Sequence, residues 1–120
     1  MFINCSNHNS AQWGDKQLNA ARVFGEIIDL PFPNVSPNAT KQEIVLQATQ
    51  LANQIMQLNP NAVMCQGEFT LTFSLVKMLQ DKGIIVLSAC SERQSVDRYN
   101  EDGTTTKLVT FEFVQFREYA

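Results

Sequence analysis

Short, almost purely apolar runs alternate along this 120-residue chain with longer segments whose apolar residues repeat at helical spacing. The clearest runs are AVMC at 62–65 and IIVLSAC at 84–90, which have the length of strands and are bounded by polar or turn-forming residues. Strands that are apolar on both faces are typical of parallel sheets, which helices cover on each side. The alternation therefore predicts an α/β fold built from successive strand and helix units.

Boundary residues place the other elements. Thr40 and Glu43 form a T-x-x-E capping box, which is typical of a helix start, and Gly25 and Gly83 are suited to helix ends. Prolines at 31 and 33 prevent a helix in the segment EIIDLPFP, which we interpret as a strand. We predict strands over 1–6, within 26–33, over 62–65 and over 84–90, and helices over 16–24, from Thr40 to Asn59 and from Phe69 to Gly83.

The carboxyl-terminal quarter has a different pattern. The polar stretch SERQS follows Cys90 and is predicted to be a loop, and a turn signal at Asp102-Gly103 precedes a β-prone stretch from Lys107 to Phe116. This pattern favours an antiparallel hairpin. We therefore expect a single domain over 1–120, with a Rossmann-like, mainly parallel sheet flanked by helices and a C-terminal antiparallel β-hairpin.

Composition excludes several classes of function. A net charge of −3 and a sequence pI near 5.0 argue against binding to long nucleic acids, which requires many basic side chains. No apolar stretch approaches the roughly 20 residues of a membrane span, and the amino terminus has no basic leader, so we expect a cytoplasmic protein. Three cysteines without CxxC spacing predict neither a disulfide framework nor a metal site, and we expect buried thiols and no cofactor.

Polar residues follow three of the predicted strands. Because the carboxyl ends of parallel strands meet at one edge of a sheet, we expect these residues to gather there as a ligand site. The clusters are Asn4, Ser6, Asn7, His8 and Ser10 after the first strand, Gln66, Gly67, Glu68 and Thr70 after the third, and Ser88, Ser91, Glu92 and Arg93 at the fourth.

Each candidate has a functional and a structural interpretation. Gly67 could allow close approach of a ligand to the backbone or adopt a positive φ, and the helix start behind it could bind an anion, while Glu68 could simply be a favourable first-turn acid. His8 could transfer a proton or serve as a surface residue. Arg93 and Arg117 could bind phosphate or form surface contacts. Trp13 could stack on a base, although an aromatic closing the core is the commoner case.

Several of these features occur together in one known group. The chain has SNH after its first strand, a leucine-proline step after the second, the element VMCQGEFTLTFSLVKMLQDKGI, SER after the fourth strand and the ending FEFVQFREY. In these features it resembles the small CRISPR-associated Csx-type proteins, most closely the Csx-twenty family. The chain differs from that family in having Glu68 where an aspartate is usual and ACS before Glu92.

The resemblance implies a CARF-like domain that binds cyclic oligoadenylate, the second messenger of type III CRISPR defence, and acts as a metal-independent ring nuclease. It implies a homodimer, with the ring across the two-fold axis. Transferred onto this sequence, the site would contain His8, Gln66, Gly67, Glu68, Ser91, Glu92 and Arg93, with Arg117 as a further member. His8 or Glu68 would transfer the proton, and Arg93 would stabilise charge on phosphorus.

Two alternatives stay open at this point. The same residues could bind the messenger without cleaving it, as in a sensor or a sponge. The chain could also be an unrelated Rossmann-like domain with a structural role, in which the polar clusters are only caps and turns. In that case the strand ends would not share a pocket.

Overall fold

The computed structural model describes residues 1–120, which form five strands and three helices. The parallel part of the fold contains the following elements in chain order: β1 (Phe2–Cys5), α1 (Asp15–Arg22), β2 (Ile27–Asp29), α2 (Lys41–Gln57), β3 (Ala62–Cys65) and α3 (Phe69–Asp81). The two long strands β4 (Ile85–Tyr99) and β5 (Thr105–Glu118) complete the chain. A single 3₁₀ turn, Ser10–Gln12, lies in the loop after β1.

The strands form one sheet in the order β2-β1-β3-β4-β5. Strands β1 to β4 are mutually parallel, and β5 is antiparallel to β4. The predicted α/β class, the mainly parallel sheet and the terminal antiparallel pair are therefore confirmed. No helix is long and apolar enough to cross a membrane.

Successive side chains of a strand point to opposite faces of the sheet. Each face of this sheet packs against its own apolar cluster. Ile3, Val63 and Val86 belong to the larger core cluster, which the buried faces of α2 and α3 complete. Phe2 and Met64 belong to a smaller cluster on the other face, which contains the buried residue of α1. The sheet is thus the middle of three layers.

The second helix begins as its capping sequence predicts. The Thr40 hydroxyl oxygen accepts a hydrogen bond from the Glu43 N–H at 3.2 Å, and the hydroxyl also lies 3.2 Å from the Glu43 carboxylate. These contacts satisfy one of the free N–H groups at the helix start. At the other end, Asn59 adopts a φ of 51°, which lets the chain turn towards β3.

The prediction of a loop after Cys90 is wrong. Instead, β4 continues to Tyr99 and pairs with β5 from Leu87 to Tyr99, with one bulge between Cys90 and Ser91. The polar residues of SERQS are compatible with a strand because this part of the hairpin is exposed on both faces. We call the projecting part, residues 91–113, the arm.

The arm makes the molecule elongated. The radius of gyration is 17.2 Å, whereas a compact chain of this length has a radius of roughly 13 to 14 Å. The polar stretch SERQS gave no indication that the strand before it would continue beyond the body of the domain.

Candidate functional site

The sheet order creates a crevice between β1 and β3. From β1 the chain crosses to β2 on one side, whereas β3 leads to β4 on the other side. Loops that leave neighbouring strands in opposite directions separate from each other, and ligands of open α/β sheets usually bind in the gap. The gap lies above Cys5 and Cys65, which are paired in the strand register.

A cleft of about 1060 Å³ occupies this position. Six residues from the three predicted clusters line it: Ser6, Asn7, His8, Gln66, Gly67 and Ser91. The expectation that strand-end residues would share a pocket therefore applies to these six. The other seven residues of the clusters, and Arg117, do not line the cleft.

Asn4 is a buried scaffold residue beneath the first loop. Its side-chain amide donates hydrogen bonds to the His8 carbonyl and to an Asp29 carboxylate oxygen, each at 2.8 Å, and its Oδ1 accepts one from the Ser6 hydroxyl at 2.7 Å. A buried amide with these partners fixes the chain path from β1 to His8. Asn4 therefore positions the loop from below.

Asp29, at the end of β2, holds the other side of this loop. Its carboxylate accepts hydrogen bonds from the Ser10 N–H at 3.0 Å and from the Ser10 hydroxyl at 2.8 Å. Burial raises the pKa of Asp29, but the hydrogen bonds from Asn4 and Ser10 outweigh that effect and hold the pKa below its ordinary value of 3.8. Ser10 thus has a structural partner and does not line the cleft.

Gln66 connects the two strands beneath the cleft. Its Oε1 accepts a hydrogen bond of 2.7 Å from the Ala89 N–H, at the point where β4 begins to leave the body. This contact fixes the orientation of the side-chain amide and leaves its two Nε2 hydrogens as donors for a ligand. Both Gln66 and Ala89 line the cleft.

Gly67 is required by packing. The ring of the buried Phe32 occupies the space that a Cβ at Gly67 would need. The backbone there is not in the left-handed region, where the chain's only glycines are Gly25, Gly83 and Gly103. The expectation of a positive φ at Gly67 is therefore wrong, and Phe32 is the neighbour that excludes a side chain.

Glu68 is the N-cap of α3. Its carboxylate accepts hydrogen bonds from the Leu71 N–H at 2.9 Å and the Thr70 N–H at 3.0 Å, and the Thr70 hydroxyl donates to the same carboxylate. Those hydrogen bonds, from Leu71 first and then from Thr70, lower the pKa of Glu68. The carboxylate occupies the helix start that was expected to receive an anion, and neither Glu68 nor Thr70 lines the cleft.

The charged residues expected near the fourth strand are not in the cleft. Glu92 and Arg93 are exposed residues on the arm, where they lie opposite Glu112 and Phe111 of β5. Arg117 is exposed and lies opposite Ser88 at the base of the hairpin. Because each residue of a strand advances about 3.3 Å, the continuation of β4 moves its side chains away from the rim.

Eleven of the 17 lining residues were not predicted as site residues, and four of these can contact a ligand through an aromatic ring or a positive charge. Trp13 and Lys16 enter from the loop before α1 and from α1 itself, and Phe111 and Phe113 enter from β5. The alternation F-x-F places both phenylalanines on one strand face, which was a readable signal. The sequence could not show that this face would turn towards the first loop.

Aromatic rings connect the arm to the core. The Phe113 and Phe116 ring centroids are 4.8 Å apart, and Trp13 lies 6.2 Å from both Phe116 and the fully buried Phe2. These distances are typical of stacked or edge-to-face aromatic contacts. The outermost ring, that of Phe111, is 69% exposed and is free to contact a ligand.

The charges in the cleft are mixed. Lys16 and His8 lie among its polar residues, together with the acids Asp15 and Glu112. One permanent cation and several amides and hydroxyls can hold a ligand with few phosphates. No group of three or more His, Cys, Asp or Glu side chains is placed to hold a metal ion.

The two thiols beneath the crevice are buried. Desolvation raises the pKa of Cys5 to about 12, and burial followed by the neighbouring Cys5 raises the pKa of Cys65. A thiol in this state is a poor nucleophile because the thiolate is the reactive form. The interpretation of both residues as small buried apolar groups is confirmed.

The chain matches a known protein family over nearly its whole length. Residues 1–117 match the model of a family described as Uncharacterized protein MJ1673 family. No curated protein matches the chain.

Proposed function

Since the chain belongs to the Uncharacterized protein MJ1673 family, whose description names no ligand, we propose a function from the cleft itself: it binds cyclic oligoadenylate. We further propose that the sheet is a Rossmann-like domain of the CARF type. One observation carries the proposal: the cleft combines the aromatic side chains of Trp13, Phe111 and Phe113 with amide and hydroxyl groups and a lysine.

The aromatic side chains suit nucleobases. Bases stack on aromatic rings with a free energy of about 1 to 3 kcal/mol each. Phe111 is exposed and Phe113 is fixed against Phe116, so one ring is free and the next is rigid. A ligand with several flat bases would use both.

The polar groups suit the sugar and phosphate parts of the ligand. The Nε2 hydrogens of Gln66 and the side chains of Ser6, Asn7 and Ser91 are neutral hydrogen-bonding groups at the floor of the cleft. Lys16 supplies a positive charge, which phosphate attracts. A cleft of about 1060 Å³ is at the upper end of the range for small-molecule sites, which favours a ligand larger than a mononucleotide.

The resemblance to the Csx-twenty family supports the same ligand. It is carried partly by residues in the cleft, among them His8 in SNH and Gln66 and Gly67 in QGE. The motif FEFVQFREY contains Phe111 and Phe113, which belong to the aromatic part of the cleft.

Isothermal titration calorimetry with cyclic tri-, tetra- and hexa-adenylate tests the proposal. We expect saturable binding of at least one ring, and a weaker affinity for Phe111→Ala and for Lys16→Ala. Leu108→Ala is the matched control, because Leu108 is exposed on the arm but does not line the cleft. Absence of heat with every ring, at protein concentrations in the high micromolar range, would contradict the proposal.

A second candidate function is cleavage of the bound ring, favoured by the position of His8 in the cleft. A ribose 2′-oxygen would attack the adjacent phosphorus and lose its proton as the bond from phosphorus to the 5′-oxygen breaks. The 5′-oxygen gains a proton, and the product is a linear oligoadenylate ending in a 2′,3′-cyclic phosphate. His8 is the residue proposed to take or give that proton.

Incubation of each ring with excess protein in EDTA, followed by mass spectrometry, separates the two candidates. Cleavage predicts a 2′,3′-cyclic phosphate product that His8→Ala loses while the variant still binds the ring. Intact rings in the presence of tight binding would reject cleavage and leave a binding module, such as a sensor or a sponge.

A further inference from the structure

The longest strand edge of the domain has no partner. β5 is the last strand in the sheet order and pairs only with β4, so one side of its 14 residues presents free N–H and C=O groups. Proteins usually protect such an edge with prolines, short strands or dense charge. β5 contains no proline, and only Glu112 interrupts the neutral stretch from 108 to 116.

The arm also exposes large apolar side chains on both faces. Phe111, Val109 and Tyr99 lie on one face of the hairpin, and Leu108 and Val96 lie on the other. An exposed apolar surface of this extent is typical of a contact with another protein. In an isolated monomer, the arm would leave both these apolar side chains and the free edge of β5 in contact with water.

We propose that the free edge of β5 pairs with β5 of a second copy of this chain, antiparallel, about a two-fold axis at Phe111. We infer that the partner strand is β5 of a second copy, because an antiparallel strand pair is self-complementary under two-fold symmetry. The same segment can then form both halves of the contact. The result is one continuous sheet of ten strands.

Symmetry restricts the register. Residues directly opposite each other must lie on the same face of the continuous sheet, so on the side of the bulge that contains Phe111 the two residue numbers of a pair must add up to an even sum. With Phe111 on the axis the sum is 222. Val109 then lies opposite Phe113 of the partner subunit, and Thr110 lies opposite Glu112 of the partner subunit.

Charges favour this register over its neighbours. A shift that places residue 112 on the axis would put Glu112 opposite the partner's Glu112. A shift that places residue 110 on the axis would put Leu108 opposite the partner's Glu112. In the proposed register Thr110 faces the partner's Glu112, and no like charges meet. Like charges directly opposite each other destabilise a strand pair.

In an antiparallel pair, every second residue exchanges both its N–H and its C=O bond with the opposite residue, so the regular stretch 109–113 would form about four to six hydrogen bonds around the axis. Because a two-fold axis perpendicular to the sheet preserves its faces, both clefts would lie on the same side of the dimer. The tip of each arm would lie along the body of the partner.

The proposed interface and the proposed ligand share Phe111, but neither requires the other. A monomer could still bind a nucleotide, and a dimer could form with an empty cleft. Molecular mass and ligand affinity therefore test the two proposals separately.

Sedimentation equilibrium of the full chain tests the interface. We expect a species of twice the 13.5 kDa chain mass. Thr110→Glu places a glutamate opposite the partner's Glu112 at two symmetry-related positions. It should therefore weaken dimerisation about tenfold. Thr110→Lys is the matched control and should dimerise at least as well as the parent. The double variant T110E/E112K should return towards the parent affinity, because each Glu then faces a Lys.

A cysteine placed on the axis tests the register. In a Cys90→Ser background, Phe111→Cys should form a covalent dimer with a short bis-maleimide, which adds one cysteine thiol to each of its two maleimide groups. Val109→Cys should not, because its symmetry mate would be about 13 Å away. A monomer at every concentration, equal behaviour of T110E and T110K, or preferential cross-linking through position 109 would overturn the proposal.

Discussion

The ring of Phe32 packs against Gly67 in the space that a Cβ would occupy. Phe32 is buried in the loop after β2, whereas Gly67 follows β3 and lines the cleft. The two residues therefore connect the packing of the large core to the floor of the cleft. Gly67→Ala should displace the ring and lower the free energy of unfolding by about 1 to 3 kcal/mol, as overpacking does.

Chemical denaturation of four proteins measures this coupling: the parent, Gly67→Ala, Phe32→Leu and the double variant. In the Phe32→Leu background the methyl group that Gly67→Ala adds has more room, so the substitution should lower the free energy of unfolding by less. Additive losses in the double variant would mean that the two sites do not interact.

The contact between Asp29 and Ser10 should make stability depend on acid pH. The pKa of Asp29 is lower in the folded protein than its ordinary value of 3.8. The stabilisation is therefore present above that value and is lost as the pH falls through 3.8 and below it. Asp29→Asn should reduce stability by about 1 kcal/mol at neutral pH, a figure that allows for partial solvent screening.

Thermal unfolding of the parent and of Asp29→Asn between pH 7 and pH 3 checks this expectation. The difference in Tm between the two proteins should shrink as the pH falls. A constant difference over the whole range would show that the Asp29 charge does not contribute.

Because Glu68 caps α3, substitutions there should change the stability of the protein. Glu68→Gln should lower the Tm, because the neutral amide is a weaker acceptor for the N–H groups of Thr70 and Leu71. Glu68→Asp keeps a carboxylate at the N-cap and should retain most of the stability. If the ring is cleaved, Glu68→Asp should cleave it at the parent rate. A large loss of rate in a stable Glu68→Asp variant would instead indicate proton transfer.

Tyr119 ties the end of the chain to the sheet. Its hydroxyl donates a hydrogen bond of 2.7 Å to the Cys65 carbonyl, and its own carbonyl accepts one from Gln80. Tyr119→Phe should lower the free energy of unfolding by about 1 kcal/mol, since a partly buried acceptor loses its donor. Tyr99→Phe is the matched control because Tyr99 is 83% exposed on the arm. Equal stability of both variants would contradict this role.

Much of the fold followed from local patterns in the sequence. The run AVMC matches β3 residue for residue, and Thr40 caps α2 as its spacing indicates. Local chemistry determines these features, because a cap and a buried strand depend on residues close in sequence. The extent of β4 did not follow, because the exposed residues of SERQS carry no apolar signal and their pairing with β5 is a long-range contact.

The candidate site was predictable only in part, for a related reason. Residues directly after β1 and β3 reach the cleft because the sheet edge determines their position. The positions of Arg93 and Phe111 depend on the path of the arm, which the sequence does not specify. Glu68 illustrates a different limit, because a carboxylate after a strand fits a cap and a catalytic group equally well until its hydrogen bonds are known.

The most direct test of ligand binding in the cleft is an amide NMR titration with cyclic oligoadenylate. We expect saturable shifts for the backbone amides of Asn7, His8 and Gln66 and for Phe113 on the arm, with little change along α2. The same spectra locate the site without assuming that the ring is cleaved. No shifts at saturating ring concentrations, or shifts confined to surfaces outside the cleft, would contradict the account.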